Sequence, residues 1–198
     1  MNKLKIGVAG CLGRMGKELV KAIENNPNTD FVGGFEQSSN PHIGKSIGEI
    51  LSLDIEFILT DDPNPIFEKS EVIIDFTTLE STINNLNIAQ KYKKPLVIGT
   101  TGLTKEANNL IKKMSSIFPI VYSENMSTGV NILTNLVERT SAILGAQNYD
   151  VEILERHHRY KIDAPSGTAL SLGQAVSRAR KEDFNKIKIF DRTSQKQK

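Results

Sequence analysis

The sequence predicts an α/β chain, with a parallel sheet wrapped by helices over its first two thirds and a smaller half of different character after it. Three observations carry this prediction. Short apolar runs alternate with stretches of helical spacing, a glycine triplet joins the first run to the first helix, and the alternation stops at about Ser127. Short strands separated by helical patterns are the mark of βα units on a parallel sheet.

In order along the chain, Leu4, Ile6 and Val8 alternate with Lys5 and Gly7, and Met15, Leu19, Val20 and Ile23 follow at helical spacing. After the break Asn25-Asn26-Pro27-Asn28, a second strand is expected over Phe31 to Phe35. Val72 to Phe76 and Leu96 to Ile98 read as a third and a fourth strand, with Leu79, Ile83, Leu86 and Ala89 marking one helix face between them. Thr104 is placed to cap another helix through its hydroxyl, and Ile120 to Tyr122 reads as a fifth strand. Beyond Ser127 the spacing predicts a helix over Val130 to Leu144, an extended run from Tyr149 to Glu155, and a polar loop. A second helix follows over Thr168 to Arg180, and a strand is expected at Ile187 to Phe190. The domain boundary is expected near Met126, giving residues 1–126 and 127–198.

Bulk composition narrows the function classes. The 198 residues are 38% hydrophobic and 24% charged, ordinary for a chain with a packed core, and the net charge is +2. Lys and Arg are scattered, which argues against a nucleic-acid partner. One cysteine, Cys11, cannot form an internal disulfide, as in a reducing compartment. No apolar stretch is long enough to span a bilayer and no secretory signal opens the chain, so a cytoplasmic location without membrane partners is expected.

The first strand runs into Gly10-Cys11-Leu12-Gly13-Arg14-Met15-Gly16 and then a helix. This GxxGxxG spacing is a variant of the dinucleotide fingerprint. Its glycines let the backbone turn tightly and approach a pyrophosphate, and the helix N-terminus offers N–H groups to the anion. Glu36, twenty residues after Gly16, stands where a carboxylate can accept from ribose hydroxyls. The bland alternative is a glycine turn that merely lets helix and strand pack closely. Strand, turn, helix, strand and acid in that order weigh against it. Cys11 reads as a small filler, and Arg14 as either a solvated charge or an anion contact.

A second constellation is Glu155-Arg156-His157-His158-Arg159-Tyr160-Lys161, followed by Asp163-Ala164-Pro165-Ser166-Gly167-Thr168-Ala169. Such a cationic cluster is costly to bury unpaired, so it faces either solvent or an anion. The helix start at Ser166 to Thr168 provides a second anion-holding N-terminus. A pocket for a small, multiply anionic molecule with a proton donor at hand is one reading; a solvated basic loop is the other. Zinc is disfavoured, because adjacent histidines do not have the usual ligand spacing. His42, beside Pro41 and Gly44, reads as a loop residue.

Together these motifs resemble the 4-hydroxy-tetrahydrodipicolinate reductases. The resemblance rests on the glycine turn, Ile74-Asp75-Phe76-Thr77, Gly99-Thr100-Thr101-Gly102, Asn125-Met126-Ser127 with Gly129-Val130-Asn131, His157-His158-Arg159, and Lys161 to Ala169. It implies a Rossmann-type parallel sheet domain followed by an α+β substrate domain with a mixed sheet, assembled as a homotetramer. It implies that Gly10, Cys11, Leu12, Gly13, Arg14, Met15 and Glu36 bind the cofactor. Gly99, Thr100 and Thr101, with Ser123, Glu124, Asn125 and Met126, are expected to line its nicotinamide side. It gives His157 and Lys161 the proton-donor role, and assigns the substrate, a cyclic dicarboxylate, to His158, Gly167 and Thr168.

The chain departs from the family pattern in two places. A neutral Gln37 follows Glu36 where a basic residue often stands. The pocket therefore offers no charge to a 2′-phosphate, and NADH is expected to be used in preference to NADPH or equally well. After Phe190 the chain drifts into a polar tail where family members continue through further strands and a Gly-Glu-His-type segment. The mixed sheet is therefore expected to look incomplete, and the tetramer is put in doubt. The alternatives are a nucleotide-binding remnant without catalysis, and another oxidoreductase of the same two-domain plan.

Overall fold

The computed structural model describes residues 2–157, 159 and 164–190. Its chain divides into two compact units, Met1–Glu124 and Asn125–Lys198.

The first unit is built on five parallel strands: β1 (Leu4–Ala9), β2 (Thr29–Phe35), β3 (Val72–Asp75), β4 (Leu96–Ile98) and β5 (Ile120–Tyr122). Their order is β2-β1-β3-β4-β5, so the chain reverses its direction of winding between β1 and β3. All five lie where the apolar runs predict them. Three helices connect them, α1 (Arg14–Glu24), α4 (Leu79–Tyr92) and α5 (Lys105–Met114), and two short helices missed in the sequence, α2 (Ile47–Leu51) and α3 (Asn64–Lys69), lie between β2 and β3. Neither short helix is long enough to show a 3.6-residue period. They are fixed locally instead, α2 by the Ser46 hydroxyl accepting from Glu49 N–H and α3 by a proline in its first turn.

Both faces of the sheet are covered, as a parallel sheet requires. Ile6, Val8, Val20, Ile23 and Phe31 form one core; Ile73, Leu86, Ile98, Ile111 and Phe118 belong to the other. Phe31 and Phe35 lie in different cores although they are four residues apart. A register step explains it: Ile6 pairs with Phe31 but Gly7 pairs with Gly33. The extra residue turns the rest of β2 over. On α1 the buried positions are Gly16, Val20 and Ile23, whereas Met15 is half exposed. The apolar face expected to include Met15 is therefore set by Gly16 instead, at the point where helix and turn approach most closely.

The second unit contains α6 (Thr128–Ile143), α7 (Gly167–Arg180) and α8 (Phe184–Ile187). The first two match the predicted helices within two residues, and Ser127 and Ser166 cap them. Arg178 bridges to Glu138 at 2.8 Å, and the guanidinium of Arg180 donates to the carbonyls of Leu144 and Tyr149, tying α7 to the end of α6. The strand expected at Ile187 to Phe190 does not form. Asp183 accepts from Asn185 N–H and caps α8, which ends at Ile187 as the backbone N–H of Lys188 bonds back to Phe184, and Lys188 to Phe190 are irregular. Tyr149 to Glu155 forms no ladder, so no mixed sheet is present among the described residues of this unit.

Candidate active site

Parallel sheets bind ligands beyond the carboxyl ends of their strands, at the point where the winding reverses. Here that point lies between the ends of β1 and β3. The chain leaves β1 at Gly10, whose φ of +65° favours glycine and whose N–H donates to the Phe35 carbonyl. A methyl group on Gly16 would stand 2.0 Å from the Gly10 carbonyl oxygen, so this glycine is dictated by the chain's own packing. Gly13 has a different position. It is exposed, it precedes α1, and no side chain caps the helix there, nor does an acid stand in the first turn. By contrast, α4 and α5 have threonine caps, Thr78 and Thr104. The α1 N-terminus therefore keeps its backbone donors and the positive end of its dipole for an outside anion.

Cys11 is fully buried against Gly34. Burial and the negative charge of Glu36 push its thiol up to about 12, so it is inert packing. Glu36 directly follows β2, and its Oε1 accepts from Leu12 N–H at 2.9 Å. The acid therefore braces the glycine turn, a role the sequence did not reveal. Gln37 beside it is exposed, as are Arg14 and Met15.

Beyond β3 and β4 stands a buried polar network that joins Thr100 to Asp75, Thr77, Thr82 and Asn85, residues to which the sequence alone gave no role. Asp75 is fully buried. Its Oδ1 accepts from Thr77 Oγ1 at 2.6 Å and from Thr77 N–H at 3.1 Å, and its Oδ2 accepts from Asn85 Nδ2 at 3.0 Å. Thr100 joins through Thr77 N–H at 3.1 Å and through Thr82 at 2.8 Å. Phe76 lies over Gly99, where a Cβ would meet its ring at 2.1 Å. The Gly99-Thr100 segment is thereby locked to the end of β3, while Thr101 and Gly102 stay exposed. A charged residue closing an apolar strand run was the signal for this network. From β5, Ser123 N–H donates to the Ile98 carbonyl, and Tyr122 donates to Glu124 at 3.2 Å. Asn125 Oδ1 accepts from Ser127 N–H, and Met126 is exposed. The expected cofactor residues from Gly10 to Glu124 are thus gathered along the carboxyl edge of one sheet. A cavity of about 530 Å³ opens instead by Lys3, Lys5 and Glu71, at the opposite ends of the strands, and contains none of them.

In the second unit, Glu155 organises the basic stretch. Its Oε1 accepts from Ser166 N–H at 2.8 Å, and its Oε2 accepts from the Ser166 hydroxyl and lies 2.9 Å from His157 Nε2. These bonds, Ser166 first and His157 after it, lower the Glu155 carboxyl to about 2. Ser166 also caps α7 by accepting from Ala169 N–H, and Gly167 and Thr168 form the helix start. His158 and Lys161 lie outside the described residues.

Residues 4–126 match the family described as dihydrodipicolinate reductase, N-terminus, and residues 129–196 match its C-terminus. The chain belongs to the dihydrodipicolinate reductase family. That family consists of NAD(P)H-dependent oxidoreductases of lysine and diaminopimelate biosynthesis. The 4-hydroxy-tetrahydrodipicolinate reductase of Wolbachia pipientis subsp. Culex pipiens (strain wPip) is 44% identical over 184 residues, covering 92% of this chain and 69% of the relative. That of Polynucleobacter necessarius subsp. necessarius (strain STIR1) is 38% identical, covering 96% and 71%. Among solved structures, the dipicolinate-bound dihydrodipicolinate reductase from Paenisporosarcina sp. TG-14 matches with a TM-score of 0.66 at 26% identity, over 90% of this chain and 67% of the other. GenD2 from gentamicin A biosynthesis, solved with NAD, shares the fold at a TM-score of 0.56 and 10% identity, over 72% of this chain and 41% of the other.

Proposed function

We propose that this chain reduces 4-hydroxy-tetrahydrodipicolinate, a cyclic dicarboxylate, with NADH as its preferred or equal cofactor. The observation that carries the reading is an uncapped α1 N-terminus behind Gly10 and Gly13, with Glu36 at the end of β2, in a member of this reductase family. The pyrophosphate is held at Gly10 to Met15. Glu36 has used Oε1 on Leu12, which leaves Oε2 for a ribose hydroxyl. Thr100, Thr101 and the Ser123 to Met126 segment flank the nicotinamide. The cofactor, when bound, supplies a hydride to a ring carbon of the substrate.

The remaining chemistry belongs to the chain. His157 or Lys161 gives a proton to the reduced ring, and His158 contacts the substrate. Gly167 and Thr168 hold a carboxylate with the backbone donors at the start of α7. Cations around the ring offset its negative charge during transfer.

The cofactor reading is tested by titrating NADH and NADPH against the full chain. NADH is expected to bind at least as tightly, because exposed Gln37 has no charge for a 2′-phosphate and Glu36 repels one. A strong preference for NADPH would overturn it. The catalytic reading is tested by His157→Ala and Lys161→Ala. Each is expected to lower kcat about 100-fold or more while leaving dinucleotide affinity unchanged. Normal turnover in both would move the proton donor elsewhere.

A further inference from the structure

We infer that Glu155 is a positioning residue, which holds the His157 ring with its Nε2–H bound and leaves Nδ1 as the nitrogen that exchanges a proton with substrate. The inference rests on the proposed role of His157 and adds the group that makes the ring fit for it. Glu155 Oε2 lies 2.9 Å from His157 Nε2. An ionised carboxylate can only accept hydrogen bonds, so the ring nitrogen facing it carries the hydrogen. Glu155 is kept ionised by its three bonds, two of them from Ser166. Ser166 is itself buried and fixed as the N-cap of α7. Both carboxylate oxygens are therefore anchored to a helix start, and one of them, Oε2, also fixes the imidazole.

Two functions follow from this one side chain. It selects a tautomer and an orientation for His157, as carboxylates behind catalytic or metal-bound histidines do. It also ties the ring to Gly167 and Thr168, the proposed carboxylate cradle, through a single intervening residue, Ser166. The donor and the start of α7 are thus registered to each other within the second unit.

Two measurements on the full chain test the inference. Nitrogen-15 imidazole spectra, with the His157 resonances identified by their loss in His157→Ala, are expected to show the Nε2–H tautomer in the native protein and a mixture in Glu155→Gln. A native Nδ1–H tautomer, or an unchanged spectrum in Glu155→Gln, would overturn it. In turnover assays, Glu155→Gln is expected to lower kcat about tenfold or more without changing KM for NADH. The double variant Glu155→Gln, His157→Ala is expected to be no slower than His157→Ala alone. Losses that multiply would show that Glu155 acts independently of the histidine, and would also overturn it. Far-UV circular dichroism and NADH binding confirm that each variant is folded. If His157→Ala turned over normally, the proton-donor reading would fail, while the tautomer spectra would still decide whether Glu155 holds the ring.

Discussion

Gly16 and Glu155 are the residues where a single atom counts most. A Cβ on Gly16 would fall 2.0 Å from a backbone oxygen that cannot swing away. Gly16→Ala must therefore push α1 off the turn. Overpacking of this kind costs about 1–3 kcal/mol, and the displaced helix N-terminus should weaken NADH binding at least about tenfold, as isothermal titration would show. For Glu155 the prediction concerns pH. Its carboxyl is lowered from 4.5 to about 2 in the folded chain. A lowered carboxylate contributes stability that is complete above its unfolded pKa and is lost as pH falls through the window from 4.5 towards 2. The urea midpoint of the native chain should exceed that of Glu155→Gln at pH 7, and the gap should narrow by pH 3. A gap independent of pH would show that the Ser166 and His157 bonds do not depend on the charge.

At the level of elements, Asp75 joins β3 to α4 through Asn85, and to β4 through Thr77 and Thr100. Asp75→Asn keeps the shape but sets an amide donor against the Asn85 amide. One buried donor is left unsatisfied, at a cost of about 1–3 kcal/mol. Chemical denaturation should register that loss, and NADH affinity should fall with it, because the Gly99-Thr100 segment is released. Thr104 offers a contrast. Its hydroxyl caps α5 alone, so Thr104→Ala should cost about 1 kcal/mol and leave NADH affinity unchanged. A loss of affinity in Thr104→Ala would show that α5 shapes the cofactor site.

Over the whole molecule, the two units differ in how much apolar surface they bury. The first has cores on both faces of its sheet. In the second, Ala175 and Val176 are the buried apolar residues among those described, while Leu133, Leu136, Ile143 and Leu154 are exposed. Burial is the main favourable contribution to folding, and a large exposed apolar surface favours association. Limited proteolysis should therefore cut first beyond Ser127 and leave a resistant fragment of residues 1 to about 126 that still binds NADH. Light scattering should show association that weakens when Leu133 and Leu136 are changed to polar residues. One cooperative thermal transition with an ordered tetramer would contradict this.

The amino-acid sequence alone determined the five strands, the helices that connect them and the glycine turn, because each is encoded by local spacing, capping and backbone freedom. It also determined the family, through motifs spread over nearly the whole chain. What it could not determine depends on residues distant in the chain meeting in space. Glu36 was legible as an acid at a strand end, but its bond to Leu12, 24 positions away, was not. Asp75 was visible within a motif, yet its role appeared only once Asn85 and Thr100 closed around it. The strand expected at Ile187 to Phe190 failed for the same reason. A strand needs a partner to satisfy its backbone groups, and where none of the described residues pairs with it, Lys188 to Phe190 stay irregular after the Asp183-capped α8.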